Sequence, residues 1–156
     1  YEGGFRVPMI IRWKDRIQPG AASDRVTGFE DWMPTLMELI GAEDRTPSGL
    51  DGVSFAPTLM GREQEPRAFL YREFPAYGGQ QCLRVEDWKA IRQNLNPRGQ
   101  QSKPNLRIEL YNLKEDLGET KDVSADHPEI VQRMEKVLKE QHVPSELFPL
   151  PALDER

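Results

Sequence analysis

The chain has 156 residues, enough to bury a core, and on length alone it reads as one domain with at most an appended segment. Its 21 Lys and Arg against 26 Asp and Glu give a net charge of -5, and no basic run with interleaved aromatics occurs, which argues against a nucleic-acid binder. One cysteine excludes an internal disulfide framework, no apolar run approaches the about 20 residues of a membrane span, and the first residues lack the charged and apolar regions of a signal peptide.

In chain order, Tyr1-Glu2-Gly3-Gly4-Phe5-Arg6-Val7-Pro8 brings paired glycines, which permit a bend, just ahead of Met9-Ile10-Ile11-Arg12-Trp13, an apolar run that reads as a buried strand. Lys14 to Thr27 is a polar connection with a Pro19-Gly20 turn. Phe29, Trp32, Met33, Leu36, Leu39 and Ile40 recur at helical spacing, with Asp31 placed to cap, Pro34 in the first turn and Gly41 past the end; this predicts a core-facing helix. After the loop Glu43 to Gly52, Ser54 is placed to cap a short helix over Phe55 to Met60 that Gly61 ends.

Phe69 to Phe74 reads as a strand bounded by Pro75, and Pro75 to Gln81 is a loop with one aromatic, two glycines and two amides. Alternation over Cys82 to Val85 and Trp88 to Arg92, around Glu86-Asp87, predicts two strands and a tight turn. Beyond the polar connection Asn94 to Asn105, the run Ile108 to Leu113 completes a four-stranded antiparallel meander with one face in the core. A polar turn follows over Lys114 to Asp122, with Gly118 placed for a positive backbone angle. Asp126 and Glu129 have capping-box spacing, and Ile130, Met134, Val137, Leu138 and Gln141 mark one face of a helix from Pro128 to Gln141 that should cover the sheet. From Val143, the prolines 144, 149 and 151 alternate with Leu147, Phe148 and Leu150, which predicts an extended strap.

The chemistry in these residues is sparse. Cys82 sits within a strand pattern, where a lone cysteine is a small apolar filler. Neither His127 nor His142 has a partner at metal-ligand spacing, and the acidic group Glu115, Asp116, Glu119 and Asp122 fails the spacing of a calcium loop and reads as a solvated turn. No Ser-His-Asp order, phosphate loop or zinc pattern is found, so no catalytic residue and no metal ligand is assigned.

Trp88-Lys89 after the hairpin turn, Glu109-Leu110-Tyr111-Asn112-Leu113, the Asp116-x-Gly118-Glu119-Thr120 turn and the helix opening at His127-Pro128 together resemble the C-terminal end of a type I sulfatase. Tyr1 to Pro8 is similar to a signature the same family, the arylsulfatases of the alkaline phosphatase superfamily, carries in mid-chain, and Asp51-Gly52 before its short helix also resembles that family. The resemblance implies an α/β fold: residues 1–61 would be a strand and helices of the catalytic domain, 62–142 the C-terminal sheet and helix subdomain, and 143–156 the strap.

It further implies a parent enzyme that hydrolyses sulfated sugars or aryl sulfates with a formylglycine and calcium. The formylglycine arises from a Cys-x-Pro-x-Arg type motif, and Cys82, followed by Leu83-Arg84-Val85, lacks that context. The nucleophile, the calcium ligands and a sulfate-binding basic residue would lie before Tyr1, so the piece itself is expected to be inert. In such an enzyme the loop Pro75 to Gln81 would sit at the rim of the cleft, with Tyr77 stacked on a sugar ring, Gly78 and Gly79 beside it, and Gln80 bonded to hydroxyls. A periplasmic, secreted or lysosomal location is implied as well. Two alternatives stand beside this one: a binding or scaffold module that holds a partner through Tyr77 to Gln81 or the apolar tail, and a phosphodiesterase or phosphonate hydrolase on the same scaffold. In the isolated chain the edge at Val7 to Trp13 is expected to pair with a second copy, giving a homodimer.

Overall fold

A computed structural model describes residues 1–97 and 103–154 and divides the chain into two compact units, Tyr1–Val7 with Ala68–Arg156, and Pro8–Arg67. The helices are α1 (Glu2–Phe5), α2 (Trp32–Leu39), α3 (Ala56–Leu59), α4 (Pro128–Gln141) and α5 (Pro151–Asp154), with 3-10 turns at Phe29–Asp31 and Glu43–Arg45. The strands are β1 (Leu70–Phe74), β2 (Gln80–Val85), β3 (Trp88–Gln93) and β4 (Glu109–Asn112).

The strands form the expected antiparallel meander in the order β1-β2-β3-β4. Val85 faces Trp88 across the two-residue turn, and Glu86 takes the positive φ of 53° that this tight connection requires. The register places Leu83, Ala90 and Leu110 on one sheet face, where they are fully buried with Met134 and Leu138 of α4. Ile108 joins that core, and Ile130, Val131 and Val137 pack at its margin. The capping-box expectation is corrected. His127 is the N-cap of α4 and no side chain caps it, because its carbonyl already accepts from the Ile130 and Val131 amides and Pro128 has no N–H to satisfy.

The second sheet face is also engaged, where the alternation predicted one core face. Ile91, Tyr111 and Leu113 cluster there with Cys82, and the Tyr1 ring meets Tyr111 edge-on at 6.0 Å between centroids. Charge is buried on this side too. Lys89, only 2% exposed, lies 2.8 Å from Glu2 Oε1 and 2.9 Å from Glu119 Oε1, with its ammonium 4.8 Å from the centre of the Phe5 ring. A strand that reads as alternating apolar and charged therefore has both of its sides covered.

The turn after β4 explains how Glu119 gets there. The positive φ of 53° falls on Glu119 and not on Gly118, and Asp116 accepts from the backbone amides of Thr120 at 2.7 Å and Lys121 at 2.9 Å. These donors, Lys121 first, hold the Asp116 carboxyl below its ordinary range. The segment is thus a hydrogen-bonded hook that sends one carboxylate inward, which corrects the reading of all four acids as solvated.

The tail departs from an extended strap, because residues 151–154 form the helical turn α5. Proline is compatible with its first position, and Leu150 and Leu153 are buried with Leu95 and Leu106, which rewards the turn with apolar contact. His142 joins the two ends of this segment, with Nδ1 2.6 Å from Glu73 and Nε2 2.9 Å from Asp154. Residues 155–156 of the expected strap and 98–102 of the Asn94 to Asn105 connection lie outside the described residues.

In the unit Pro8–Arg67, the expected strand at Met9 to Trp13 is corrected. These residues have no regular structure and Ile10 is 94% exposed, since among the described residues no strand pairs with them and the Trp13 carbonyl is turned to the Arg16 and Ile17 amides. The helix at 32–39 forms, but Phe29, Met33, Leu36 and Ile40 of its predicted core face are exposed. The buried position is Thr35, whose hydroxyl donates to the Asp31 carbonyl and accepts the Phe55 amide at 3.0 Å. Asp31 does not cap α2 through its side chain, because its backbone is already helical (φ -73°, ψ -17°). Its buried carboxylate instead accepts from the Gly28 and Val53 amides, each at 2.8 Å, and pairs with Arg67. Ser54 receives the Ala56 amide at 3.2 Å while Phe55 is the N-cap of α3. A side chain at Gly52 would place Cβ 2.1 Å from the Glu30 carbonyl oxygen, so only glycine fits there.

Candidate functional site

Between β1 and β2 the backbone takes three successive left-handed conformations, at Tyr77 (φ 52°), Gly78 (φ 85°) and Gly79 (φ 75°). This compact bend is pinned to the end of β3. Leu95 N–H donates to Gly79 O at 3.1 Å and Asn96 N–H donates to Gly78 O at 2.6 Å. A Cβ on Gly79 would meet Leu150 Cδ2 at 2.9 Å and Asn96 N at 3.0 Å, so this glycine is a packed anchor.

The bend leaves Tyr77 82% exposed, with its ring 6.0 Å from that of Phe74 at an interplanar angle of 32°. An open cleft of about 940 Å³ lies here, lined by Phe74, Ala76, Tyr77, Gly78, Asn94, Pro97, Lys103 and Asn105. Its size is that of small-molecule sites. Asn94 has a positive φ of 58°, and its carbonyl accepts the Asn105 amide at 3.0 Å, which ties the two amide side chains to one wall.

Of the four residues singled out in the sequence, the structure brings Tyr77 and Gly78 into the cleft lining. Gly79 is buried beneath it, and Gln80 is half-buried in β2, on the sheet face it shares with Cys82. Asn94, Lys103 and Asn105 were not singled out. Their signal was the pairing of Gln80 with Gln93, which brings the residues after β3 level with those before β2.

Other polar groups are fixed inside the sheet unit. Tyr71 donates to Glu73, Gln81 Nε2 donates to the Tyr71 hydroxyl at 2.8 Å, and Arg92 donates to Gln81 Oε1 at 3.2 Å and Glu135 at 2.7 Å. Burial, followed by the Glu73 contact, pushes the Tyr71 hydroxyl well above its ordinary range. Burial likewise pushes the Cys82 thiol up to about 11 against the opposing pull of Lys89, so it stays protonated at neutral pH and is a poor nucleophile. His127 rests its ring against Trp88, 4.9 Å between centroids. Among the described residues no group of three or more His, Cys, Asp or Glu side chains has the geometry to hold a metal ion. No described helix is long and apolar enough to cross a membrane. The described lining of the cleft combines the ring faces of Phe74 and Tyr77 with the side chains of Asn94, Lys103 and Asn105.

Comparison with known proteins places this geometry. Residues 1–144 match the family described as N-sulphoglucosamine sulphohydrolase, C-terminal. A sulfatase of Formosa agariphila is 32% identical over 139 residues, which are 82% of this chain and 24% of that protein. A structure solved in complex with its substrate D-glucosamine-2-N,6-O-disulfate superposes with a TM-score of 0.66 at 22% identity, over 84% of this chain and 27% of that one. The phosphonate monoester hydrolase of Agrobacterium radiobacter gives a TM-score of 0.54 at 25% identity, over 78% of this chain and 26% of that one. The chain thus spans about a quarter of the length of each of these relatives. By the match over residues 1–144, it belongs to the N-sulphoglucosamine sulphohydrolase C-terminal family and is the C-terminal portion of a sulfatase.

Proposed function

We propose that the whole protein hydrolyses sulfate esters of sugars, and that this portion forms one side of its substrate cleft through Phe74, Tyr77, Asn94 and Asn105. The match of residues 1–144 to a sulfatase C-terminal family carries the reading, and the exposed Tyr77 in the lining of the cleft supports it. In this proposal a formylglycine nucleophile and a calcium ion would be held by residues outside this chain and would supply the chemistry at sulfur. The exposed apolar residues Ile10, Phe29, Met33 and Ile40 are then surfaces that the rest of the enzyme covers. Likeness to a phosphonate monoester hydrolase favours one other reading, hydrolysis at phosphorus on the same scaffold.

The purified chain is expected to give no turnover of a chromogenic aryl sulfate or aryl phosphonate; measurable turnover of either would overturn the assignment of the chemistry to residues outside it. In the whole enzyme, Tyr77→Ala is expected to raise KM for a sulfated sugar roughly 3- to 10-fold with kcat little changed, the loss of one ring-stacking contact worth about 0.5–1.5 kcal/mol. Gln80→Ala, outside the lining, should change KM less than about 2-fold. Unchanged KM in Tyr77→Ala would return the loop to an ordinary connection.

A further inference from the structure

We propose that residues 142–154 form a strap that fixes the conformation of the Tyr77–Gly79 bend, with Leu150 as the positioning residue and His142 as the clasp. Most of this segment lies beyond residues 1–144, over which the chain matches its family, so the family match does not account for it. Such a strap acts on the shape of the loop, whatever the neighbouring cleft binds.

The bend needs a support that its own side chain does not supply. Of its three left-handed residues Tyr77, at φ 52°, is not a glycine, and a bulky residue stays in that region only when its surroundings over-determine it. The Tyr77 ring is 82% exposed, so it fixes little. The hold lies one and two residues on, where the Gly78 and Gly79 carbonyls accept from the Asn96 and Leu95 amides and Gly79 N–H donates to Ala76. Beneath these glycines are Leu95 and Leu150, each 1% exposed, and a Cβ on Gly79 would lie 2.9 Å from Leu150 Cδ2. Leu95 directly follows the strand end to which the bend is bonded. Leu150 arrives from a distant part of the chain, and it is the support that can be withdrawn.

A relay of contacts holds Leu150 in place. Its amide donates to Asp154 Oδ2 at 3.1 Å, and its carbonyl accepts the Leu153 amide at 2.7 Å, which closes the α5 turn. Asp154 Oδ1 lies 2.9 Å from His142 Nε2, and His142 Nδ1 lies 2.6 Å from Glu73 Oε1 on β1. Glu73 is steadied in turn by the Tyr71 hydroxyl, which donates to the same oxygen. Between these attachments Val143, Leu147 and Phe148 are exposed, so the middle of the segment adds no apolar burial through them. The strap is therefore fastened on both sides of the bend, at Glu73 ahead of it and at Gly79 where it closes. Opening either fastening frees the other to move.

The test is ¹⁵N relaxation of the labelled chain and its variants. In the unaltered chain the amides of Tyr77, Gly78 and Gly79 are expected to have order parameters of about 0.85, as in rigid backbone, and in Leu150→Ala these should fall below about 0.6. His142→Ala should give the same loss at the bend together with mobility at residues 150–154, because it opens the clasp without altering Leu150. Leu150→Met, which keeps the volume, should restore the rigid values. Leu138→Ala, in the separate core beneath α4, is expected to lower stability and leave the bend rigid, so the readout does not simply follow stability. A bend that stays rigid in both Leu150→Ala and His142→Ala overturns the strap, as does one already mobile in the unaltered chain. Equal mobility in Leu138→Ala would reduce the effect to general loosening and overturn the positioning role. If residues 150–154 stay ordered in His142→Ala, the clasp is overturned. Should Leu150→Ala fail to fold, His142→Ala decides alone, mobility at the bend supporting the strap and rigidity overturning it.

Discussion

Lys89→Met is expected to destabilise the sheet unit by about 3–5 kcal/mol, read as a lowered midpoint in a urea melt. The side chain is among the most enclosed of the described residues, and its ammonium lies between the Glu2 and Glu119 carboxylates. Arg84 reaches Glu2 at 3.5 Å and is more exposed, so it can relieve one acid in part. Glu119 Oε1 has the ammonium at 2.9 Å but no donor aligned on it, and Glu119 also accepts the Glu2 backbone N–H. Take the cation away and two carboxylates face each other in a site that excludes water. Residues 1–5 are then expected to leave the sheet, uncovering Tyr111. Replacing all three together, Lys89→Met with Glu2→Gln and Glu119→Gln, should recover most of the loss, because a buried pair contributes little net stability once its desolvation is counted. A Lys89→Met loss below about 1 kcal/mol would mean that water reaches the cluster.

That cluster also shows where sequence reasoning stopped. Lys89 sits between Trp88 and Ala90 as an outward-facing strand residue should, and nothing local says that a segment 87 positions away will cover it. Strand register and helix α4 were legible because each is decided by nearest neighbours: alternation of two in Leu83 and Val85, and a 3.6-residue stripe through Met134 and Leu138. Caps failed for the opposite reason. Asp31 has the right chemistry for an N-cap, but its carboxylate is taken by Arg67 and Val53, which are 36 and 22 residues away. The stripe on α2 was read correctly as helical and wrongly as covered in this chain, since periodicity fixes a face without naming what it meets. In the cleft, Tyr77 and Gly78 were visible as a loop aromatic beside a glycine. Asn94, Lys103 and Asn105 belong to a connection that has no pattern of its own, and they reach Tyr77 only through the β2–β3 pairing.

Leu138→Ala is expected to cost about 2–5 kcal/mol, the usual range for truncating a buried leucine. Two features place it in the upper half of that range. Leu138 is fully enclosed together with Met134, Leu83, Ala90 and Leu110, and these side chains come from α4, β2, β3 and β4 at once, so no single element can shift to fill the space. The Leu138 carbonyl also accepts from Gln81 Nε2 at 3.3 Å, and Gln81 holds Arg92 in turn, which pins the helix over the sheet and resists collapse toward the void. Val137→Ala, one position away at the half-buried margin, should cost about 1 kcal/mol, and the difference between the two separates loss of the central core from loss of helix surface. Both are measured by denaturant unfolding of the isolated chain, with the slope of the transition held as a check on two-state behaviour. Equal losses at 137 and 138 would mean that α4 is rotated on the sheet by part of a turn, and the burial of Met134 on the same stripe would then have to fail as well.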